Sequence, residues 1–307
     1  MTATSVAAAP APTRMSPLLC IRRHGTPYWL ALFGSAWMII LFVIPLFSEL
    51  IVSLETGNPD AGYNFTWNWG VYQQLFIDGD VPYLTFLLRS LIYGASCTVL
   101  TIVIGYPMAY FIAFRVSARW KGPLLKRVML SFLVSFIIRV DMWAFVLASD
   151  GPVLSLLRNL HLASKDFHIL GTNAAVIGGL VYNNLAFMVL PIYVALERID
   201  VRIMEAARDL YASPGQVFFK AVLPLSRSGI FAGILLVFID AVGDPVNASL
   251  LGGTGTYTFG QAIQDAFLSN QQYNIAAALS TVLMVVLGII LFAYARIAGT
   301  ENIEDLV

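Results

Sequence analysis

Residues 205–224 read EAARDLYASPGQVFFKAVLP, and this stretch decides the fold. It lies between two long apolar runs and is itself amphipathic. Glu205, Arg208, Asp209 and Lys220 form one side; Ala206, Ala207, Leu210, Val217, Phe218 and Val222 form the other. The residue before a proline is pushed away from helical geometry. The stretch is therefore expected to hold a first helix ending near Ser213, a Ser213-Pro214-Gly215 break, and a second helical turn running to Leu223-Pro224. The second turn is expected to present Val217, Phe218 and Lys220 outward. A short amphipathic helix of this kind fits a groove on a partner protein.

The apolar runs on either side belong to a larger pattern. Of the 307 residues, 58% are hydrophobic and only 12% charged, about half the charge of an ordinary soluble domain. Crossing a bilayer takes about 20 apolar residues in a helix. Six runs meet that length, at residues 28–52, 87–114, 128–149, 169–196, 228–251 and 274–295. Residues 90–114, 169–196 and 274–295 contain no Asp, Glu, Lys or Arg. The fold class is all-α, an integral membrane bundle of six transmembrane helices. Residues 1–27 form a basic tail expected to be disordered, 28–297 the membrane domain with a polar loop at 197–227, and 298–307 a second tail. The first run is too long for a signal-peptide core and is read as a retained span.

The net charge of zero hides an asymmetry. Fourteen Lys and Arg fall on one set of alternate segments: the amino-terminal tail, residues 115–127, the 197–227 loop and the carboxyl end. Arg158 and Lys165 alone occupy the other set, while Arg89 and Arg139 lie within spans. The positive-inside rule then puts both termini and the 197–227 loop in the cytoplasm. Cys20 and Cys97 fall in a tail and a span, so no disulfide framework follows. The three histidines lack metal-ligand spacing, no phosphate-binding GxxxxGK[ST] loop occurs, and no nucleophile–base set suggests catalysis. Neither a nucleic-acid partner nor a cofactor is expected on this chain.

Several phrases in order carry a resemblance. They are IGYPMAYFIA (104–113), VSFIIRVDMWAF (134–145), GPVLSLLRNL (151–160), GGLVYNNLAFMVLPIYVALERID (178–200), the EAA stretch itself, and VGDPVNASLLGG (242–253). Together the chain resembles permeases of the spermidine/putrescine branch of type I ATP-binding-cassette importers. The resemblance implies an inner-membrane subunit that pairs with a second permease to form a heterodimer, embedded in membrane lipid. It also implies two ATPase subunits carrying ATP and Mg, and an extracytoplasmic substrate-binding protein. Glu205, Ala206, Ala207, Asp209, Gly215, Leu223 and Pro224 then make the ATPase-coupling element. Three positions depart from the family pattern. Tyr211 replaces a glycine, for which Gly215 is expected to supply the turn. Ala186 replaces a proline, although Pro191 remains. Asp141 replaces an aromatic two residues after Arg139.

Arg139, Asp141, Trp143, Tyr182, Asn183, Asn184, Asp240 and Asp244 are the candidates for the substrate pathway. An ionised group at mid-bilayer costs about 2.5–3.5 kcal/mol on insertion scales, so such groups face cavities or pair. Arg139 and Asp141 are two apart and point different ways, whereas Asp240 and Asp244 would share a helix face. Gly243 and Pro245 flank Asp244, so a broken helix is expected there, a common device on transport pathways. The acids suit a cationic cargo; the competing structural reading is an internal salt bridge between Arg139 and Asp244. The Asn pair either lines a wet path or joins helices. Tyr28, Trp29, Trp67, Trp69 and Tyr273 are read as interface anchors. A short helix is expected in residues 150–170, where Arg158, His161, Lys165 and His168 are ordinary surface residues. Rival functions are a permease of the same architecture for phosphonate, sulfate or iron, and an ion-coupled secondary transporter needing no ATPase.

Overall fold

The computed structural model describes residues 34–58, 62–77, 81–161, 164 and 167–299. The two tails, Cys20, Tyr28, Trp29 and Lys165 lie outside the described residues. Residues 1–51 and 52–307 are two separate units. An apolar helix begins in the first at Gly34 and ends just beyond its limit at Ser53, with a π-helical turn at Ile39–Val43. Everything below concerns the second unit.

Residues 53–86, expected as the loop between the first two spans, hold a small antiparallel hairpin and a helix. β1 (Glu55–Asn58) pairs with β2 (Gly62–Phe65), and α1 spans Gly70–Phe76. The hairpin is latched to the segment before the sixth span. The Tyr63 hydroxyl donates to the Gln271 carbonyl at 2.7 Å, and Asn274 donates to the Glu55 carbonyl at 3.3 Å. Gly57 and Gly62 have φ of 156° and 83°.

The second span, α2 (Tyr83–Phe114), has 32 residues, or about 48 Å at 1.5 Å per residue. That exceeds the hydrocarbon thickness of about 30 Å, so its ends project. Arg89 sits in the projecting end and donates to the Tyr257 carbonyl at 2.8 Å.

The expected third span at 128–149 is corrected. Two helices occupy the region, α3 (Ala118–Leu133) and α4 (Phe136–Leu147), with Val134 and Ser135 extended between them. Neither Gly nor Pro marks the break. Arg139 satisfies it instead: Nη2 donates to the Val134 carbonyl at 3.3 Å, and the first helical bond of α4 runs from Arg139 N to the Ser135 carbonyl at 3.1 Å. The polar segment expected from residue 115 therefore contributes α3, a helix carrying Arg119, Lys121, Lys126 and Arg127.

The short helix expected in 150–170 forms as α5 (Pro152–Asn159). Arg158 does more than decorate its surface: it donates to the Ser149 carbonyl at 2.7 Å and the Phe167 carbonyl at 3.4 Å, closing the loop. The fourth span, α6 (Asn173–Glu197), starts at a Thr172 cap and runs unbroken through Ala186 and Pro191.

After α6 come α7 (Val201–Asp209) and α8 (Pro214–Leu225), the latter with a π turn at Phe218–Val222. The fifth span, α9 (Arg227–Gly243), is bent 65° from α8. It ends at Gly243, short of the expected residue 251, because Asp244 is extended and Pro245 lacks an N–H. A separate helix, α10 (Val246–Leu251), follows. Then come α11 (Phe259–Gln264), prolonged by a π turn to Ser269, and the sixth span α12 (Tyr273–Gly299).

The core sits where α2, α6 and α9 meet, around Cys97, Met188, Val189, Ile192, Leu196 and Val237. Small residues set that approach, as in membrane bundles generally. A Cβ at Gly229 would stand 2.5 Å from the Pro191 carbonyl oxygen and 2.5 Å from the Ala195 Cβ. Only glycine lets α9 lie so close to α6.

Candidate translocation and coupling sites

The expected coupling element is a helical pair. Asp200 caps α7 by accepting from Arg202 N at 2.9 Å. It is therefore Asp200, and not Glu205 in the helix interior, that supplies the N-terminal carboxylate favoured by the helix dipole. Met204 anchors α7 inward; Glu205, Ala206 and Asp209 are exposed, and Ala207 is half-buried against the core.

The first helix ends earlier than expected, at Asp209, because Tyr211 adopts a left-handed conformation with φ of 60°. Gly215 is helical and provides no turn. The departure from the family pattern thus leaves the turn where the family glycine would put it, with a tyrosine in glycine's conformation. That side chain is 98% exposed, and Leu210 beside it is 82% exposed.

Ser213 then starts α8 with a reciprocal capping box. Its hydroxyl accepts from Gln216 N, and the Gln216 side chain accepts from Ser213 N at 2.9 Å. The expectation that Val217 and Phe218 face outward is overturned. Val217 is buried, and Phe218 stacks edge-on against Tyr106 and Tyr110 at 5.5 and 5.7 Å. Phe219 and Lys220 are the outward residues; Leu223 and Pro224 are half-buried. At the bend, the Ser226 hydroxyl donates to the Leu223 carbonyl at 3.1 Å and meets the Tyr106 hydroxyl at 2.9 Å. This bond ties the α8–α9 corner to the second span. Sequence reasoning missed Asp200 and Ser226, although Asp before a helical run is a legible cap signal.

The eight pathway candidates divide into two groups. Arg139, Trp143 and Tyr182 come together and line a cavity of about 350 Å³ with Val134, Met142 and Val146. Trp143 and Tyr182 meet edge to face at 5.2 Å. Arg139 is buried at 8% exposure, its guanidinium 5.4 Å from the Phe132 ring centre and 6.0 Å from that of Phe136. Asp141 points away and is exposed, as the two-residue offset requires.

The second group surrounds the break after α9. Asp244 accepts from Val246 N at 2.7 Å, from Asn247 N at 3.2 Å and from the Asn247 side chain. Its carboxylate thus caps the free backbone amides at the start of α10. The Arg139–Asp244 salt bridge is not formed, and its physical reason is this local competition. Asn247 in turn accepts from Asn183 Nδ2 at 3.2 Å, joining α6 to α10. Asn184 is fully buried beside Asp240 and donates to the Leu180 carbonyl at 3.1 Å. The Oδ1 atoms of both Asn183 and Asn184 lack a partner. Asp240 is exposed on the last turn of α9; Asp244 lies beyond the helix, so the two do not share a helical face, though they remain close. Asn247 was missed, yet Asp244-Pro245-Val246-Asn247 carries the spacing of an Asp-capped turn.

Comparison with known proteins places these features in a lineage. The family described as binding-protein-dependent transport system inner membrane component matches residues 105–298. The spermidine/putrescine transport system permease protein PotB of Haemophilus influenzae is 35% identical over 261 residues, 85% of this chain and 90% of that one. The protein of the same name from Escherichia coli is 32% identical over 266 residues, 87% of this chain and 95% of its own. Among solved structures, a bacterial ABC transporter involved in import of the acidic polysaccharide alginate superposes with a TM-score of 0.70. It has 18% identity and covers 93% of this chain and 99% of that chain, which speaks to the fold. The chain belongs to the family of binding-protein-dependent transport system inner membrane components: it is a multi-pass transport subunit and not an enzyme.

Proposed function

We propose that the chain is one of two permease subunits of an ATP-driven importer for polyamines such as spermidine and putrescine. The observation that carries this reading is the 35% identity to a spermidine/putrescine permease across 90% of that protein's length. The carboxylates of Asp141 and Asp240, both exposed on this subunit, agree with a cationic cargo. The second subunit is a related but distinct permease, so the pair is a heterodimer. Two ATPase subunits bind ATP and Mg, and a receptor outside the membrane delivers cargo. The alternation of basic segments sets both termini and the α7–α8 loop in the cytoplasm.

In this reading the mechanics follow from the geometry of the loop. The exposed face of α7, with Glu205 and Asp209, seats on the ATPase. Met204, Val217 and Phe218 fasten the loop to the bundle from within. A movement of the ATPase pair shifts α7 and α8 together, and the 65° corner at Ser226 passes that shift into α9. Asp240 and the broken end of α9 then change their surroundings. The test is uptake of radiolabelled spermidine by proteoliposomes holding the full complex. Uptake must need ATP and the receptor, and unlabelled putrescine must compete. Transport of phosphonate, sulfate or iron with no polyamine uptake refutes the cargo. Uptake by this chain alone, without ATP, refutes the assembly.

A further inference from the structure

Arg139 is a full positive charge buried in a membrane span without a counter-charge. Its Nη2 donates to a carbonyl, and its guanidinium lies over two aromatic rings. Its Nε has no partner. Among the described residues no carboxylate pairs with it: Asp244 is engaged in capping α10, and Asp141 leaves the opposite side of the same helix. A neutral carbonyl and ring faces offset only part of the cost of desolvating a guanidinium. Breaking a buried ion pair is costly for the same reason. None of the described residues supplies the anionic group that would complete the site.

Three sources are conceivable, and the surface around the pocket separates them. Lipid is disfavoured by depth, since Arg139 lies within a span and lipid phosphates sit at the headgroup level. Asp141, on the opposite side of α4, is exposed with no hydrogen bond or ion pair among the described residues. The cargo is disfavoured by sign, since an ammonium group is repelled by a guanidinium. A protein carboxylate remains. The pocket suits one: about 350 Å³ of space admits an Asp or Glu side chain with the edge of its helix. The Trp143–Tyr182 pair gives it a dry wall. Arginine's fork also matches a carboxylate in two-point geometry.

We propose that the Arg139 pocket is part of the seam between permeases and receives an Asp or Glu side chain of the second subunit. This rests on the reading that the chain works as one of two permeases. The unpaired Asp141 on the same helix is then left for the passage, so α4 presents one charge to the seam and the other to cargo.

The test uses the whole complex in nanodiscs. In Arg139→Lys, the amine stands where the guanidinium stood. A membrane-permeant carbodiimide, dicyclohexylcarbodiimide, activates a neighbouring carboxylate, which the lysine amine captures as an amide. Mass spectrometry is expected to find Lys at 139 joined to an acidic residue in a membrane span of the second permease. Arg139→Gln is expected to speed dissociation of the permease pair in detergent by about tenfold or more, with Arg139→Lys close to wild type. A cross-link to any acidic residue of this chain overturns the proposal. So does an assembled Arg139→Lys complex that yields no cross-link. An Arg139→Gln complex that dissociates normally but loses uptake puts the guanidinium on the cargo path and equally overturns it. Failure of the wild-type chain to copurify with any second permease is a different result; it refutes the two-permease reading itself.

Discussion

Replacing Tyr211 with glycine is expected to stabilise the protein, although the change deletes an entire aromatic side chain. Tyr211 has φ of 60° and is 98% exposed. An L-residue held in the left-handed region costs roughly 1–2 kcal/mol. Glycine escapes that cost but gives the unfolded chain extra freedom, which returns about 0.5–1 kcal/mol. No burial is lost, because almost none exists. The difference is a net gain of about 0.5–1 kcal/mol. A shift of 1 kcal/mol moves the melting point by roughly 2–4 °C in chains of 150–250 residues, so a rise of about 1–4 °C is expected here. Intrinsic tryptophan fluorescence during heating in one detergent reads it. Tyr211→Ala is the control, since it removes the ring but keeps the Cβ; it is expected within about 0.5 kcal/mol of wild type. A glycine variant that melts with the alanine variant, or below wild type, refutes the claim that backbone strain is stored at this turn.

Asp244→Ala removes the cap of α10 and is expected to lower stability by about 0.5–2 kcal/mol, with Asp244→Asn losing far less because Asn caps nearly as well; thermal melts of the two variants decide it. Asp240→Asn keeps the shape of the last turn of α9 but removes its charge, so spermidine uptake should fall steeply while subunit assembly is unchanged; unaltered uptake kinetics discard the cationic passage. Glu205→Ala touches an exposed residue, so folding should be intact while receptor-stimulated ATPase activity and uptake separate; normal coupling in reconstituted vesicles counts against the α7 contact. Gly229→Val places atoms within 2.5 Å of the Pro191 carbonyl oxygen and Ala195, and overpacking of this kind costs about 1–3 kcal/mol; full retention of the melting point contradicts the close α6–α9 approach.

The spans other than the third were legible because hydrophobic length is a global property of a segment, little altered by what packs beside it. The end of α9 was legible for a local reason: Gly243 and Pro245 act through their own backbone chemistry. The break between α3 and α4 was not, since LVSF contains neither residue and the interruption is sustained by Arg139 reaching back to Val134. That is a side-chain contact whose pattern leaves no periodic trace. The same holds for the inner face of α8. Val217 and Phe218 look like a docking stripe in isolation, but Tyr106 and Tyr110, more than a hundred residues earlier, claim Phe218. Tyr211 shows the opposite failure. A rule tying positive φ to glycine moved the turn to Gly215, while Tyr211 itself takes the left-handed conformation at the end of α7.

The charged groups of the membrane region differ less in number than in how far each is already committed. Asp244 is occupied by two backbone amides and one side-chain amide, so releasing it to a passing ammonium would uncap α10 and loosen the Asn247–Asn183 link to α6. Asp240 carries no such duty to the backbone; its neighbour is the buried Asn184, whose carbonyl oxygen is unpartnered. A cation arriving at Asp240 therefore gains a carboxylate without dismantling a cap, whereas one at Asp244 must compete with the fold. On the proposed polyamine reading, cargo contact and structural support fall to different acids only four positions apart. Asp240→Asn should impair transport more than stability, and Asp244→Ala should do the reverse. A single order of effect in both assays, with either residue dominating throughout, removes the basis for that division.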